Sequence, residues 1–158
     1  TGWFLNMPMP VIISLVVVAA FVFFIKKSKT GRYIYAIGGN EKATRLSGVN
    51  VNRVKLFVYT AAGVLSAVAG ILVTARLDSA QPNAGAGYEL DSIAAVVIGG
   101  TSLSGGKGTI IGTVIGALII GVLNNGLVLL DVSPFWQQVV KGAVILFAVI
   151  LDKSKAVR

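Results

Sequence analysis

The sequence predicts an all-α, polytopic integral membrane bundle. Two long stretches carry no ionised side chain: Leu56–Ala75, with twenty residues, and Thr109–Leu130, with twenty-two. At about 1.5 Å per residue, each is long enough as a helix to cross a hydrocarbon core of roughly 30 Å. The composition agrees, because 55% of the residues are hydrophobic and only 13% are charged. A soluble domain of this length needs far more polar surface.

Five hydrophobic segments follow one another along the chain. The first, Trp3–Ile25, contains Pro8 and Pro10, which bend a helix or delay its start. The other four are Leu56–Ala75, Ile93–Gly100, Thr109–Leu130 and Phe135–Leu151. The third would form only about 12 Å of helix before a glycine-rich stretch. A broken element of this kind survives in a membrane only when it is packed in protein or lines an aqueous cavity, which hints at function. The alternative is a plain loop over a tilted helix.

Lysine and arginine are unevenly divided, and the division predicts the orientation. Eight lie within residues 26–55 and three follow Leu151, whereas residues 76–91 hold one base and three acids. Positive residues stay on the cytoplasmic side. We therefore expect residues 26–55, Lys107 and the C-terminus inside, with 76–91 and 131–134 outside, so the third segment must cross. The net charge of +8 then reflects contact with the lipid bilayer and its anionic inner leaflet, and no nucleic acid partner is predicted.

The residue types argue against several kinds of chemistry. The absence of Cys and His removes thiol nucleophiles, most zinc sites and imidazole bases. A Walker A loop ending at Lys107 would need Gly at position 101 and Ser or Thr at position 108. The chain has Thr101 and Gly108 there, so the glycine-rich stretch is not a Walker A loop. No catalytic residue, metal or cofactor is predicted. The six acids are expected in loops or at segment ends, which disfavours an ion-driven carrier with a mid-membrane carboxylate; they are Glu41, Asp78, Glu89, Asp91, Asp131 and Asp152.

Small residues in two segments predict close helix packing. Ala62, Ser66 and Gly70 are spaced four apart in the second segment, and Gly112 and Gly116 are spaced likewise in the fourth. Small side chains at this spacing let helix backbones approach closely in lipid. Packing of a bundle explains them, and neither face indicates a binding site.

The basic region 26–55 contains the signals of a short helix, Glu41–Ser47. Asn40 suits its N-cap, Glu41 suits its positive end and can pair with Arg45, and Gly48 suits its end. Leu46 and Val49 would offer small apolar contacts near the membrane surface. The residues alone leave two interpretations open: a surface-lying segment with no partner, or a contact for a cytoplasmic motor.

Three motifs resemble the permease subunits of ribose-type ABC sugar importers. They are GRYIYAIGGNE at residues 31–41, AAVVIGGTSLSGGKGT at 94–109 and FWQQVVKG at 135–142. Permeases for branched-chain amino acids look similar in the first motif, but the three together, in this order, are specific. The resemblance covers essentially the whole chain.

The resemblance implies a role, partners and a location. Residues 1–158 would be the C-terminal half of a permease, which agrees with a chain that begins Thr1-Gly2-Trp3. It would sit in the bacterial inner membrane with a second permease copy (a homodimer), ABC ATPase subunits that hydrolyse ATP, and a periplasmic sugar-binding protein. Residues 26–55 would be the cytoplasmic coupling loop, with the ATPase contact made by Asn40, Glu41, Ala43, Arg45, Leu46, Ser47, Gly48 and Val49.

Five polar residues are candidates for lining the translocation path. Asn124, Asn125, Gln137, Gln138 and Lys141 are expected to cluster in the outer half of the bundle, where they would supply donors and acceptors for sugar hydroxyls. Alternatively, Lys141 reaches the outer interface and the amides only tie helices together. For the whole chain, the alternatives are a permease for branched-chain amino acids or nucleosides, or an inactive truncated membrane scaffold.

Overall fold

The computed structural model describes residues 3–4, 7–79 and 81–156, and over these ranges the fold is helical apart from one pair of two-residue strands. The strands β1 and β2 pair antiparallel, with Trp3 opposite Pro8. The elements in order are β1 (Trp3–Phe4), β2 (Met7–Pro8), α1 (Met9–Lys27), α2 (Lys29–Gly39), α3 (Glu41–Leu46), α4 (Val51–Leu77), α5 (Tyr88–Ile98), α6 (Ile110–Leu129) and α7 (Pro134–Ala156). The predicted all-α fold is confirmed. The chain divides into two compact units, Thr1–Ala86 and Gly87–Arg158.

Within the described part of the chain, three helices are long and apolar enough to cross a membrane: α1, α4 and α6. They correspond to the first, second and fourth predicted segments. The first begins at Met9 rather than Trp3, with a proline in its opening turn, because proline suits the start of a helix and not its interior. Helix α5 has 11 residues and begins at Tyr88, earlier than predicted. That α5 and the 23-residue α7 also cross the bilayer stays a prediction.

In the first unit, α2 occupies much of what the sequence analysis treated as a loop. Ser28 alone separates it from α1, and the Ser28 hydroxyl accepts a hydrogen bond from Gly31 N at 2.9 Å. Gly31 is buried, and a methyl group there would overlap the carbonyl of Ile25. The less exposed positions Gly31, Ile34 and Ile37 recur at helical spacing. The prediction of one short helix within residues 26–55 was therefore incomplete, because the glycines masked this periodicity.

The short helix predicted around Glu41 is present as α3. Asn40 Oδ1 accepts from Ala43 N at 2.9 Å and so caps its N-terminus. At the other end Gly48, with φ +82°, donates to the carbonyl of Arg45, and Val49 donates to that of Thr44. This is a Schellman closure, in which a left-handed residue satisfies the last carbonyls. Helix α3 is thus fixed at both ends by its own sequence.

Alanine at Gly48 is expected to destabilise this closure by about 1 kcal/mol, because a Cβ disfavours the left-handed backbone. Amide hydrogen exchange across Glu41–Leu46 should accelerate accordingly. Gly39→Ala is the matched control, since Gly39 ends α2 without a positive φ and has open space around it. Equal exchange in the two variants would contradict the assignment.

The second unit is built on close contact between α5 and α6. A methyl group on Gly116 would overlap the carbonyl of Ala95, and one on Gly112 would overlap the carbonyl of Gly99. The predicted packing role of Gly112 and Gly116 is confirmed. We call this contact, made by Ala95 and Gly99 on one side and Gly112 and Gly116 on the other, the seam. The core beside it contains Ala94, Ala95 and Ile120, with Ile98 and Ile145 packed against them. By contrast, the face of α4 that is formed by the small residues Ala62, Ser66 and Gly70 is exposed within this chain.

The glycine-rich stretch between α5 and α6 folds onto itself. Gly100, with φ +82°, closes α5 as Gly48 closes α3, by donating to Val97 while Thr101 donates to Val96. Ser102 N then donates to the carbonyl of Lys107 at 3.0 Å. The Thr109 hydroxyl accepts from Gly112 N and caps α6. Several backbone N–H groups of this stretch are thus hydrogen-bonded within its own turns, which lowers the cost of placing an irregular segment near lipid.

Candidate functional site

Glu41 is the centre of an ion-pair network on α3. Its Oε1 lies 3.2 Å from Arg45 Nη2, as the spacing predicted, and its Oε2 lies 2.6 Å from Lys55 Nζ. The bond to Lys55 joins α3 to α4 and was not foreseen, because the two residues are fourteen positions apart. All three side chains are at least 40% exposed, so the network adds little stability. Its effect is to orient α3 against α4.

The Lys55 ammonium, which donates a hydrogen bond to Glu41, holds the pKa of that carboxyl below its ordinary value of 4.5, and Arg45 acts in the same direction. A carboxyl whose pKa is lowered by folding contributes stability above the unfolded pKa and loses it as the pH falls through the folded value. A small difference in unfolding temperature between the unaltered chain and Glu41→Gln is therefore expected at pH 7. This difference should shrink as the pH falls below 4.5, and it should be absent once the pH is below the lowered pKa of Glu41.

Glu89→Gln changes another exposed acid and should show no such dependence on pH. A difference between the Glu41→Gln variant and the unaltered chain that persists in acid would contradict the assigned cause.

The residues predicted to contact an ATPase all lie on or beside α3. Leu46 lies at its C-terminal end and is 89% exposed, the largest exposure among the large hydrophobic residues of this region. Val49 is half-buried and, with Asn50 and Tyr33, helps to line a cavity of about 340 Å³. Asn40, Ala43, Arg45, Ser47 and Gly48 are exposed. Helix α3 thus presents one exposed apolar side chain, Leu46, among basic residues. Of the two predicted apolar contacts, Leu46 is freely accessible and Val49 is not.

In the second unit three polar side chains meet between otherwise apolar helices. Asp91 from α5 places Oδ1 2.7 Å from Lys141 Nζ on α7. Asn124 Nδ2 on α6 donates to Asp91 Oδ2 at 3.0 Å. We call Asp91, Asn124 and Lys141 the polar cluster. Each of the three helices contributes one member, so the cluster ties them together.

The five predicted path residues are only partly brought together. Asn124 and Lys141 meet through Asp91. Gln137 instead donates from Nε2 to the carbonyl of Val132 at 2.8 Å, in the turn between α6 and α7. Asn125 and Gln138 are exposed and stand outside the polar cluster. The structure thus separates the set into a half-buried pair, Asn124 and Lys141, and three residues outside the polar cluster.

Asp91 is the residue that sequence reasoning missed. It was assigned to an outer stretch ending at a segment boundary, but it lies within α5, and its side chain is only 18% exposed. A usable signal existed: Asp91 precedes Ala94, Ala95 and Ile98 by three, four and seven positions, which places it on the same helix face as the buried residues. Across the described residues no group of three or more acids, cysteines or histidines could hold a metal ion.

The family profile "Branched-chain amino acid transport system / permease component" matches residues 2–149. The chain belongs to this permease family. The permease chain is 58% identical to the ribose import permease protein RbsC of Escherichia coli K12, over 98% of its own length and 50% of that protein. No solved structure gives a significant match.

Further relatives extend the comparison to a second sugar. The permease chain is 59% identical to RbsC of Bacillus subtilis 168, over 98% of its own length and 48% of that protein. It is 50% identical to the xylose transport system permease protein XylH of Haemophilus influenzae, over 94% of its own length and 40% of that protein. The permease chain thus spans about half the length of the curated relatives it matches. The predicted resemblance to ribose-type permeases is confirmed, and the family with its apolar helices indicates a multi-pass membrane transport subunit rather than an enzyme.

Proposed function

We propose that this chain forms part of the translocation path of an ATP-driven importer for ribose or a similar sugar in the bacterial inner membrane. The observation that carries the proposal is the identity of 50% or more to ribose and xylose permeases over almost the whole chain. Permeation of branched-chain amino acids is the second candidate, because the family profile carries that description.

We also propose that α3 and its flanks, Asn40–Val49, dock on the ABC ATPase. Three features support this role. Leu46 is an exposed apolar tip, both ends of α3 are closed by the local sequence, and Glu41 links α3 to α4 through Lys55. A push on a short helix fixed in this way passes to the membrane-spanning helix that follows it.

The path itself is proposed to run beside the polar residues of the second unit, Asn124, Asn125, Gln137, Gln138 and Lys141. These groups supply hydrogen-bond donors and acceptors where the surrounding helices are apolar. The exposed face of α4 that carries the small residues Ala62, Ser66 and Gly70 is suited to close packing by further helices, from the rest of the permease or from a second copy. A periplasmic sugar-binding protein would deliver the solute on the outer side.

Uptake by the complete transporter tests the function. A full-length permease that contains this sequence, its ATPase and its binding protein would be placed in proteoliposomes with ATP inside, and uptake of radiolabelled D-ribose and L-leucine would be compared. ATP-dependent uptake of ribose and not leucine is the expected result. Uptake of leucine alone would select the second candidate, and retention of no ATPase in detergent would favour a scaffold.

Single cysteines test the proposed orientation, and the absence of native Cys makes the labelling specific. Lys42→Cys, within α3, should react with a membrane-impermeant maleimide only from the cytoplasmic side. Asn83→Cys, between α4 and α5, should react only from the periplasmic side. The opposite pattern would invert the topology and remove the proposed ATPase contact.

A further inference from the structure

The polar cluster contains a charged pair that is largely withdrawn from water. The side chains of Asp91 and Lys141 are 18% and 14% exposed, and their charged atoms are 2.7 Å apart. Withdrawing a charge from water is costly unless an opposite charge is close and hydrogen bonds satisfy the remaining groups. Asp91 Oδ2 accepts from Asn124, whereas Oδ1 has the Lys141 ammonium as its counter-charge but no hydrogen bond within the described residues. Asp91 also lies near the start of α5, where the helix dipole favours an acid. The arrangement depends on Asp91, which contacts both other members.

The same cluster contains a buried acceptor without a partner. The Nδ2 of Asn124 donates to Asp91, and because a carboxylate only accepts, this bond fixes which way the amide is turned. Among the described residues, Asn124 Oδ1 is buried and accepts no hydrogen bond. Folded proteins seldom leave such an atom unsatisfied, so each case calls for an explanation. A hydrogen-bond donor at this oxygen would complete the site.

We propose that Asp91 is a positioning residue of a hydroxyl-binding subsite in which Asn124 Oδ1 accepts from, and the Lys141 ammonium donates to, a neutral polyhydroxyl solute. The inference rests on the proposed function and adds to it the atoms that meet the sugar hydroxyls and the residue that holds the subsite in place. The ion pair cancels its own charge, so the cluster offers no free counter-charge to a carboxylate or an ammonium group. A sugar hydroxyl both donates and accepts, and it fits this set without breaking the pair.

The complete transporter in proteoliposomes tests the inference with radiolabelled D-ribose, and thermal unfolding is measured on the same preparations. Asp91→Asn alone leaves Lys141 without a counter-charge, so both the unfolding temperature and the uptake should fall, the uptake at least tenfold. The double variant Asp91→Asn with Lys141→Met removes both charges together. Its unfolding temperature should recover, as neutral replacement of a buried pair allows, while uptake should stay at least tenfold low.

Asn124→Leu gives a second result that leaves the ion pair intact. Uptake should fall at least tenfold, while ATP hydrolysis stimulated by the ribose-loaded binding protein should stay within twofold. Glu89→Gln and Lys107→Met alter exposed charges of the same unit and should leave uptake within twofold. These controls separate the subsite from a general effect of charge.

Two results would overturn the inference. The first is a double variant that regains uptake together with stability, because the cluster would then only tie helices. The second is an Asn124→Leu transporter with unchanged uptake. Absence of ribose uptake by the unaltered transporter would overturn the proposed function itself, and it would be seen before any variant is compared.

Discussion

Leucine in place of Gly116 is expected to prevent the second unit from folding correctly, at a cost of ~3 kcal/mol, the upper end of the usual range for overpacking. The reason is that Gly116 faces the carbonyl of Ala95 on α5, with no space even for a methyl group. The neighbouring atoms belong to the backbone, so no side chain can rotate to relieve the overlap. The yield of monodisperse permease in detergent and its unfolding temperature measure the effect, and both should fall sharply.

Gly121→Leu is the matched control, because Gly121 lies on the same helix with open space around it. Leucine is the better helix former by up to ~1 kcal/mol, so this variant should be as stable as the unaltered chain or slightly more so. A Gly116 variant as stable as the Gly121 variant would contradict the close contact of α5 and α6.

Aspartate in place of Leu46 should detach the ATPase from the permease. Leu46 is 89% exposed at the end of α3, and full burial of a leucine against a partner contributes about 1.5–3 kcal/mol. Loss of that burial, with a carboxylate left in an apolar contact, should reduce the ATPase retained on the purified permease at least tenfold, since about 1.4 kcal/mol corresponds to tenfold in affinity. Sugar uptake should fall with it.

Leu130→Asp places the same charge at another exposed leucine, which follows α6 on the side predicted to face the periplasm. This variant should retain the ATPase at the level of the unaltered permease. If Leu46→Asp retains it equally well, α3 is not the docking element, and the exposed tip needs another explanation.

The sequence was most informative where local signals act alone. Asn40 and Gly48 marked the two ends of α3 because capping depends on residues within one turn of each other. Gly112 and Gly116 marked a helix contact because a small-residue repeat has few other uses in an apolar helix. The long apolar runs likewise predicted α4 and α6 to within a few residues.

The sequence was least informative where contacts join distant residues or where two signals conflict. Helix α2 was not predicted, because it contains Gly31, Gly38 and Gly39 and glycine is a poor helix former, although Gly31 is needed for the approach to Ile25. Asp91 was assigned to a boundary because its partners Asn124 and Lys141 lie far along the chain. No local pattern reports a pairing across 33 or 50 residues, so only the folded arrangement places these groups together.

The seam between α5 and α6 constrains how the second unit can move. Its contacts at Gly99, Gly112 and Gly116 join main chain to main chain, so nothing in them can deform gradually. The two helices must shift as one rigid body or separate completely. Their amides should accordingly exchange with deuterium in a single cooperative event, and any transport step that displaces α5 must carry α6 with it.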